Sequence, residues 1–550
     1  MPTTILYNGT IYTMDPAQPR AQAIAINDGR VVAVGSEGKV QAAVGRTAEG
    51  INLRGRAAIP ALTDAHVHLI WHALARQTVR LDGIADFDAV LRQITPFATA
   101  GSGWLQGGGW DHTLWGGRWP TAADLDKIVP ERPAMLTRKD GHAAWLNTAA
   151  LITAGIDETT PDPVGGSIRR EHGTPTGILY ETAIDLARRH ITEIGTEERM
   201  AAVREAIVEA HSYGMVGMHI PTSMRAGDGL MHLSDIQKLR EAGKLPLRCL
   251  QYIGLDGLDD ALRLGIRSGM GDRWIRIGGV KMFADGSLGS ETAEMLAPYE
   301  SGSGKGLATM PTDELFDAVQ RAMQGGLSVM VHAIGDAANR KVLDAIEAAM
   351  PKRSEQTRSP SDDSETQYTI RNAQYRIPNR IEHCQIVHPN DIPRFAKLGV
   401  IASMQPIHCT ADMDTADKLW GERCATAYAW RALKQAGAIL AFGSDAPVES
   451  LNPWLSIHAA VTRQKVNGSP TGGWYTSQRL SVHEALWGFT VGAATAAGAA
   501  HEQGTLMPGM LADITVLTQD PFKIDPSTLH AVQSDMTILE GQVVWERRGT

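Results

Sequence analysis

Asp64-Ala65-His66-Val67-His68 ends an apolar run and sets two imidazoles two residues apart. On an extended strand, residues i and i+2 share a side. His66 and His68 can therefore reach one ion, and neutral imidazole suits zinc and related metals. Alone, an H-x-H is weak evidence, because two satisfied polar side chains give the same spacing. Three further runs end on ligand-type residues: Val329-Met330-Val331-His332, Arg380-Ile381-Glu382-His383 and Ala441-Phe442-Gly443-Ser444-Asp445. Singly, each reads as a buried histidine or a turn. Together, His66, His68, His332, His383 and Asp445 at matching places point to a divalent metal.

Lys281 lies in another such run, Ile277-Gly278-Gly279-Val280-Lys281-Met282-Phe283. A buried ammonium beside a cation is costly. A neutral lysine can instead take up CO₂ as a carbamate, an anion able to bridge two metals about 3.5–4 Å apart. The bland alternative pairs an unmodified Lys281 with a carboxylate such as Asp285. Two zinc ions are favoured, and the same donors admit manganese, iron, cobalt or nickel. Such a centre activates water as hydroxide and polarises a carbonyl oxygen. Asp445 is the candidate proton shuttle, since a carboxylate beside the metal can take the water's proton and pass it to a leaving nitrogen. Ser444 lies outside any G-x-S-x-G elbow, so it is not read as a nucleophile.

Elements must bring these residues together. Eight strand-like runs are predicted at 58–68, 215–219, 247–253, 274–283, 327–332, 379–383, 400–404 and 438–442. Amphipathic stretches such as 196–213 and 313–325 lie between them. This alternation predicts an α/β chain folded as a (β/α)₈ TIM barrel, in which strand C-terminal ends carry the active site. The ligand-type residues fall at those ends. Both termini carry hairpin grammar, around Asn27-Asp28-Gly29 and Glu540-Gly541. A small β-sandwich domain from 1–57 and 503–550 is expected, although two separate edge hairpins would leave the same pattern. The barrel then takes 58–84 and 196–502. The long gap after the first strand makes 85–195 an insertion over the barrel mouth. The polar stretch 354–374 is expected as an exposed excursion.

Substrate contacts are sought in the insertion. Gly107-Gly108-Gly109-Trp110-Asp111-His112 offers glycines for close backbone approach, an apolar wall in Trp110 (with Trp115), and polar groups in Asp111 and His112. His142, after Asp140-Gly141, can reach a substrate carbonyl. His219 and Gln405 end the second and seventh strands, where a pocket lining and a buried structural role are equally consistent. For the tryptophans and the Asp-Gly turn the bland readings are core packing and turn geometry.

The chain has 550 residues, 43% hydrophobic and 21% charged, with net charge −9. That supports a full core and gives no basic patch for nucleic acid. The four cysteines, Cys249, Cys384, Cys409 and Cys424, form no C-x-x-C pair. With no signal-like N-terminus and no bilayer-length apolar run, a reducing, cytoplasmic setting without membrane contact is expected. A small molecule is the expected partner, and a homodimer follows from symmetry priors.

These motifs resemble the amidohydrolase superfamily, together with the tail Gly504-Thr505-Leu506-Met507-Pro508-Gly509-Met510-Leu511-Ala512-Asp513. The segment Val280-Lys281-Met282-Phe283-Ala284-Asp285-Gly286-Ser287-Leu288-Gly289-Ser290 resembles a narrower branch, amidohydrolase family 3, which includes N-substituted formamide deformylase. Asp140-Gly141-His142 and His332-Ala333-Ile334-Gly335-Asp336 share that resemblance. The resemblance implies His66, His68 and Asp445 on the more buried metal, His332 and His383 on the second, and Lys281 as bridge. It implies hydrolysis of a C–N bond, amide or formamide-type. Ring deamination and ester or lactone hydrolysis use the same chemistry, but deaminases of this superfamily usually manage with one metal and no bridging lysine. A barrel scaffold that has lost its chemistry should have lost ligands, and all six ligand candidates are present.

Overall fold

The computed structural model describes residues 3–45, 48–76, 78–98, 103–191, 194–223, 228–351 and 377–547. Eight parallel strands follow one another around a single sheet. They are β1 (Leu62–Asp64), β2 (Met215–Ile220), β3 (Arg248–Gly254), β4 (Ile275–Phe283), β5 (Val329–Ala333), β6 (Arg380–His383), β7 (Ile401–Met404) and β8 (Leu440–Phe442). Ala65 N–H donates to the Phe442 carbonyl at 3.0 Å, and Asp445 N–H to that of His66 at 2.7 Å, which joins the first strand to the last. The fold is a (β/α)₈ barrel.

Most strand residues are buried because helices cover them outside. β5 reads Val-Met-Val-His-Ala and every residue is buried. The helix before it, Thr312–Gln324, buries Leu315, Ala318, Val319 and Ala322, an i, i+3, i+4, i+7 stripe. Its other faces carry Asp313, Glu314 and Arg321.

The run expected at 58–68 is two strands and a loop. Ala57–Pro60 pairs antiparallel with Ile514–Leu517 and parallel with Thr10–Tyr12, so it belongs to a six-stranded sheet made from both ends of the chain. Pro60 has no N–H for a ladder. One residue later the backbone changes partners: Ala61 N–H donates to Asp513 O, and Leu62 N–H to Gly214 O. A second, four-stranded sheet carries the predicted hairpin, Ala23–Asn27 with Arg30–Gly35.

After β1 a six-stranded mixed sheet is inserted, with Ala134–Arg138 and Ala143–Leu146 at its centre. It starts earlier than 85, because Val79–Arg80 pairs with Gly107 and Gly108. The three glycines expected to approach a ligand also have a packing reason. A Cβ at Gly107 would lie 2.6 Å from Val79 Cβ, at Gly108 2.7 Å from Thr137 O, and at Gly109 2.5 Å from Asp82 Oδ1. The stretch 354–374 lies outside the described residues. All four cysteines are buried and free. No described helix is long and apolar enough to cross a membrane.

Candidate metal centre

His66 and His68 lie just past β1 rather than on it. Hydrogen bonds to the neighbouring units still fix that segment: Val67 N–H donates to His219 O, and His68 N–H to Ala446 O. The two rings are 5.4 Å apart. Asp64 clips the segment to β8 by accepting from His66 N, Ser444 N and Ser444 Oγ. Burial pushes its carboxyl up to about 7, against those same hydrogen bonds. Gly443 is required here, because a Cβ would lie 2.4 Å from His66 N. Ser444 is thus a strut between the first and last strands.

Asp445 sits at the centre. Its Oδ1 lies 3.3 Å from His66 Nε2 and 3.3 Å from His68 Nε2. Its Oδ2 lies 3.8 Å from His408 Nε2 and 3.9 Å from His383 Nδ1. Two groups result, His66–His68–Asp445 and His383–His408–Asp445, each with ligand atoms within 4.8 Å of one another. His332 borders them, its ring 4.4 Å from that of His383, but its Nε2 faces the Gly286 carbonyl at 2.9 Å. Asp445 and His383 both take left-handed backbone, φ 60° and 73°. Such conformations cost a non-glycine residue about 1–3 kcal/mol and gather at functional sites.

The electrostatics suit a cation. Burial opposes charge on Asp445, yet His66, His68 and His383 outweigh it and hold the carboxyl well below its ordinary range. Burial lowers His66 to about 4, so the ring is neutral and its Nε2 lone pair is free. Burial lowers Lys281 to about 8, against the pull of Glu382 and Asp445. Lys281 Nζ lies 4.6 Å from the Phe283 ring centre. Asp285 is not its partner, since that carboxylate accepts the backbone N–H groups of Glu294, Ile334 and Gly335. Buried polar atoms rarely lack partners. Here His66 Nε2, His408 Nε2, Asp445 Oδ1 and Lys281 Nζ all do. Two imidazole nitrogens, a carboxylate oxygen and an amine, gathered in one place, are a donor set that fits a divalent metal.

The centre opens into a cavity of about 340 Å³, roofed by the insertion through Arg138 to His142 and walled by Trp71, Phe283 and Leu288. The amidohydrolase family model matches residues 49–545. The chain belongs to the amidohydrolase family. It is 35% identical to the Arabidopsis thaliana protein LONG AFTER FAR-RED 3 over 95% of this chain and 89% of that one. It is 26% identical to the N-substituted formamide deformylase of Arthrobacter pascens, over 99% of each. A metal-dependent hydrolase of Pyrococcus horikoshii has a similar structure, with TM-score 0.73 and 27% identity over 95% of this chain and 99% of that one. This amidohydrolase is a metal-dependent hydrolase, and its His/Asp clusters are the candidate sites for the divalent metal.

Of the expected substrate contacts, this amidohydrolase places Asp111 and His142 on the cavity. His142 Nδ1 meets the buried Glu181 at 2.7 Å. Burial alone would lower that imidazole, but Glu181, then Asp140, raise it to about 9. Asp140 also accepts from Ser287 Oγ at 2.7 Å, tying the insertion to the loop after β4. Trp110 is not a wall: it is fully buried, and its indole N–H donates to Leu136 O inside the insertion's core. Trp115 stacks on it. His112 is stacked on Trp119 at 3.8 Å and accepts from Arg138, so it is a packing residue. His219 lies beneath the cavity, its Nδ1 2.9 Å from Arg380. Gln405 reaches the centre indirectly, through Oε1 to His383 Nδ1 at 2.9 Å. Neither lines the cavity, and Gln405 keeps its Nε2 without a partner.

The sequence reading passed over His408 and Glu382. His408 is on the helix Pro406–Trp420, which begins straight after β7 and Gln405. A ligand on a helix's first turn shows no strand-end signature. Glu382 neighbours a ligand candidate in sequence but serves a different histidine, with Oε2 in close contact with His66 Nδ1. A carboxylate on the remote nitrogen fixes the tautomer that leaves Nε2 for metal. Burial opposes charge on Glu382, but Arg380 and then His66 bring its carboxyl down to about 2. Glu382→Gln should therefore weaken metal binding roughly 10- to 100-fold. Competition with a coloured chelator reads this directly, and unchanged affinity would remove Glu382 from the metal's support.

Proposed function

We propose that this amidohydrolase cleaves a C–N bond, amide or formamide-type, in a small molecule, at a centre of two divalent ions, zinc by preference. The supporting observation is the set of unpartnered donors around Asp445, facing a cavity large enough for a small substrate. His66, His68 and Asp445 would hold one ion. His383, with His408 or His332 beside it, would hold the other. Lys281, carboxylated on Nζ, would bridge them. Bound metal supplies an acidified water and a Lewis acid for a carbonyl oxygen.

The chain's own residues do the rest. Asp445 takes a proton from water on its carboxylate oxygen and returns it to the leaving nitrogen. The imidazolium of His142, braced by Glu181 across the cavity, faces the substrate and can donate to a carbonyl oxygen. The insertion closes over both and limits bulk water. The similarity to an N-substituted formamide deformylase favours an amide over an ester.

Elemental analysis and turnover of N-formyl and N-acyl amines test this together. About two metals per chain, a mass gain of one CO₂ on Lys281 peptides under carbamate-preserving conditions, and amine release are expected. One metal per chain with unmodified Lys281 would replace the bridged centre by a single-metal one. Hydrolysis confined to esters, or ammonia release from ring amines, would replace the amide reading.

A further inference from the structure

We propose, building on the amide reading above, that the substrate bears no anionic group, because the cavity's basic side chains are already held by carboxylates. An enzyme that selects a substrate carboxylate or phosphate usually keeps an arginine fork or lysine available for it. Here the roof's arginine and lysine are engaged, and its third basic group, His142, is held by Glu181 at 2.7 Å. Arg138 donates through one terminal nitrogen to Asp111 at 2.8 Å and through the other to Asp140, while its Nε faces His112 Nδ1. Lys139 Nζ is 2.7 Å from Glu449 Oε1.

Nearer the rim the pattern repeats. Arg80 is 2.7 Å from Asp82, Arg188 is 3.0 Å from Asp185, and Arg199 contacts both oxygens of Asp235 at 2.6 and 3.2 Å. Among the described residues lining the cavity, Lys281 is the remaining lysine or arginine, and it belongs to the metal centre.

The balance around the roof is negative. Arg138 has two carboxylates, and Asp412, next to His408 on the same cavity, accepts from the Tyr428 hydroxyl at 2.9 Å. Burial would lower the Lys139 amine, but Glu449, Asp412 and Asp111 together keep it charged. An anionic substrate would meet that surplus. To gain a cation from Arg138 or Lys139 it would have to displace a partly buried carboxylate and leave it unpaired, which is expensive. An uncharged substrate meets no such penalty, and Trp71, Leu74 and Leu288 offer it an apolar wall.

Two amides of matched length test the proposal on the metal-loaded protein: N-formylhexylamine and N-formyl-6-aminohexanoate. We expect kcat/KM for the neutral compound to exceed that for the anion at least 30-fold. Glu449→Gln frees Lys139 for a substrate anion, so the anion-to-neutral ratio should rise at least fivefold. Equal turnover, or preference for the anion, overturns the proposal while leaving the amide reading intact. A ratio unmoved by Glu449→Gln overturns the part given to the Lys139–Glu449 pair. Cleavage of neither compound by folded, metal-containing protein defeats the amide reading, and this proposal with it.

Discussion

Asp445→Asn should lower kcat by about a thousandfold, within the 10²–10⁴ range of general acid–base catalysis. That corresponds to roughly 4 kcal/mol of transition-state stabilisation, at about 1.4 kcal/mol per tenfold. The substitution preserves shape and removes the basic oxygen. His66 and His68 remain within reach of the same position, and Asp445 itself is fixed by its backbone, whose N–H donates to His66 O at 2.7 Å. Metal should therefore be retained in part, and KM should change far less than kcat. Steady-state kinetics with elemental analysis on the same preparation separates the two effects. A kcat within tenfold of the parent's would show that another group carries the proton, and His408, 3.8 Å from Asp445 Oδ2, would be the next to replace.

The second large effect is on stability. Arg380 is fully buried inside the barrel under the metal centre. It contacts both oxygens of Glu382, the His219 ring, the Ala65 carbonyl and Ser403 Oγ. Four groups, on β6, β2, β7 and the loop after β1, therefore depend on one guanidinium. Arg380→Met leaves Glu382 as a buried carboxylate without its cation, a change that typically costs about 3–5 kcal/mol. A large drop in the thermal midpoint and loss of soluble yield are expected. Removing both charges in Arg380→Met/Glu382→Leu should recover most of that stability, because buried pairs replaced whole are often neutral. The double variant should stay inactive, since His66 loses its carboxylate partner. If Arg380→Met melts within about 1 kcal/mol of the parent, the network is dispensable and Glu382 is neutralised by other means.

The barrel and four members of the two His/Asp clusters, His66, His68, His383 and Asp445, were legible in the chain itself. Parallel strands buried on both faces must be apolar runs, and a ligand at the strand's end breaks the run visibly; His332, His383 and Asp445 carry that mark. The hairpin at Asn27-Asp28-Gly29 and the return of the C-terminal strands were legible because turn chemistry is local. What pairs across the barrel left no local mark. Glu382 looks like a neighbour of His383, yet the closed sheet turns it towards His66, 316 residues away. His408 reaches Asp445 only because the helix after β7 starts over the barrel mouth. Trp110 and His112 admitted a pocket reading beside the blander core one. Only the packing of the inserted sheet decided for core, by stacking Trp115 and Trp119 against them. The sequence by itself determined which residue types could bind metal and at or just past the ends of which strands they come. The tertiary structure decided which atoms meet, because closing the barrel sets side chains hundreds of residues apart against one another, and no periodicity records that.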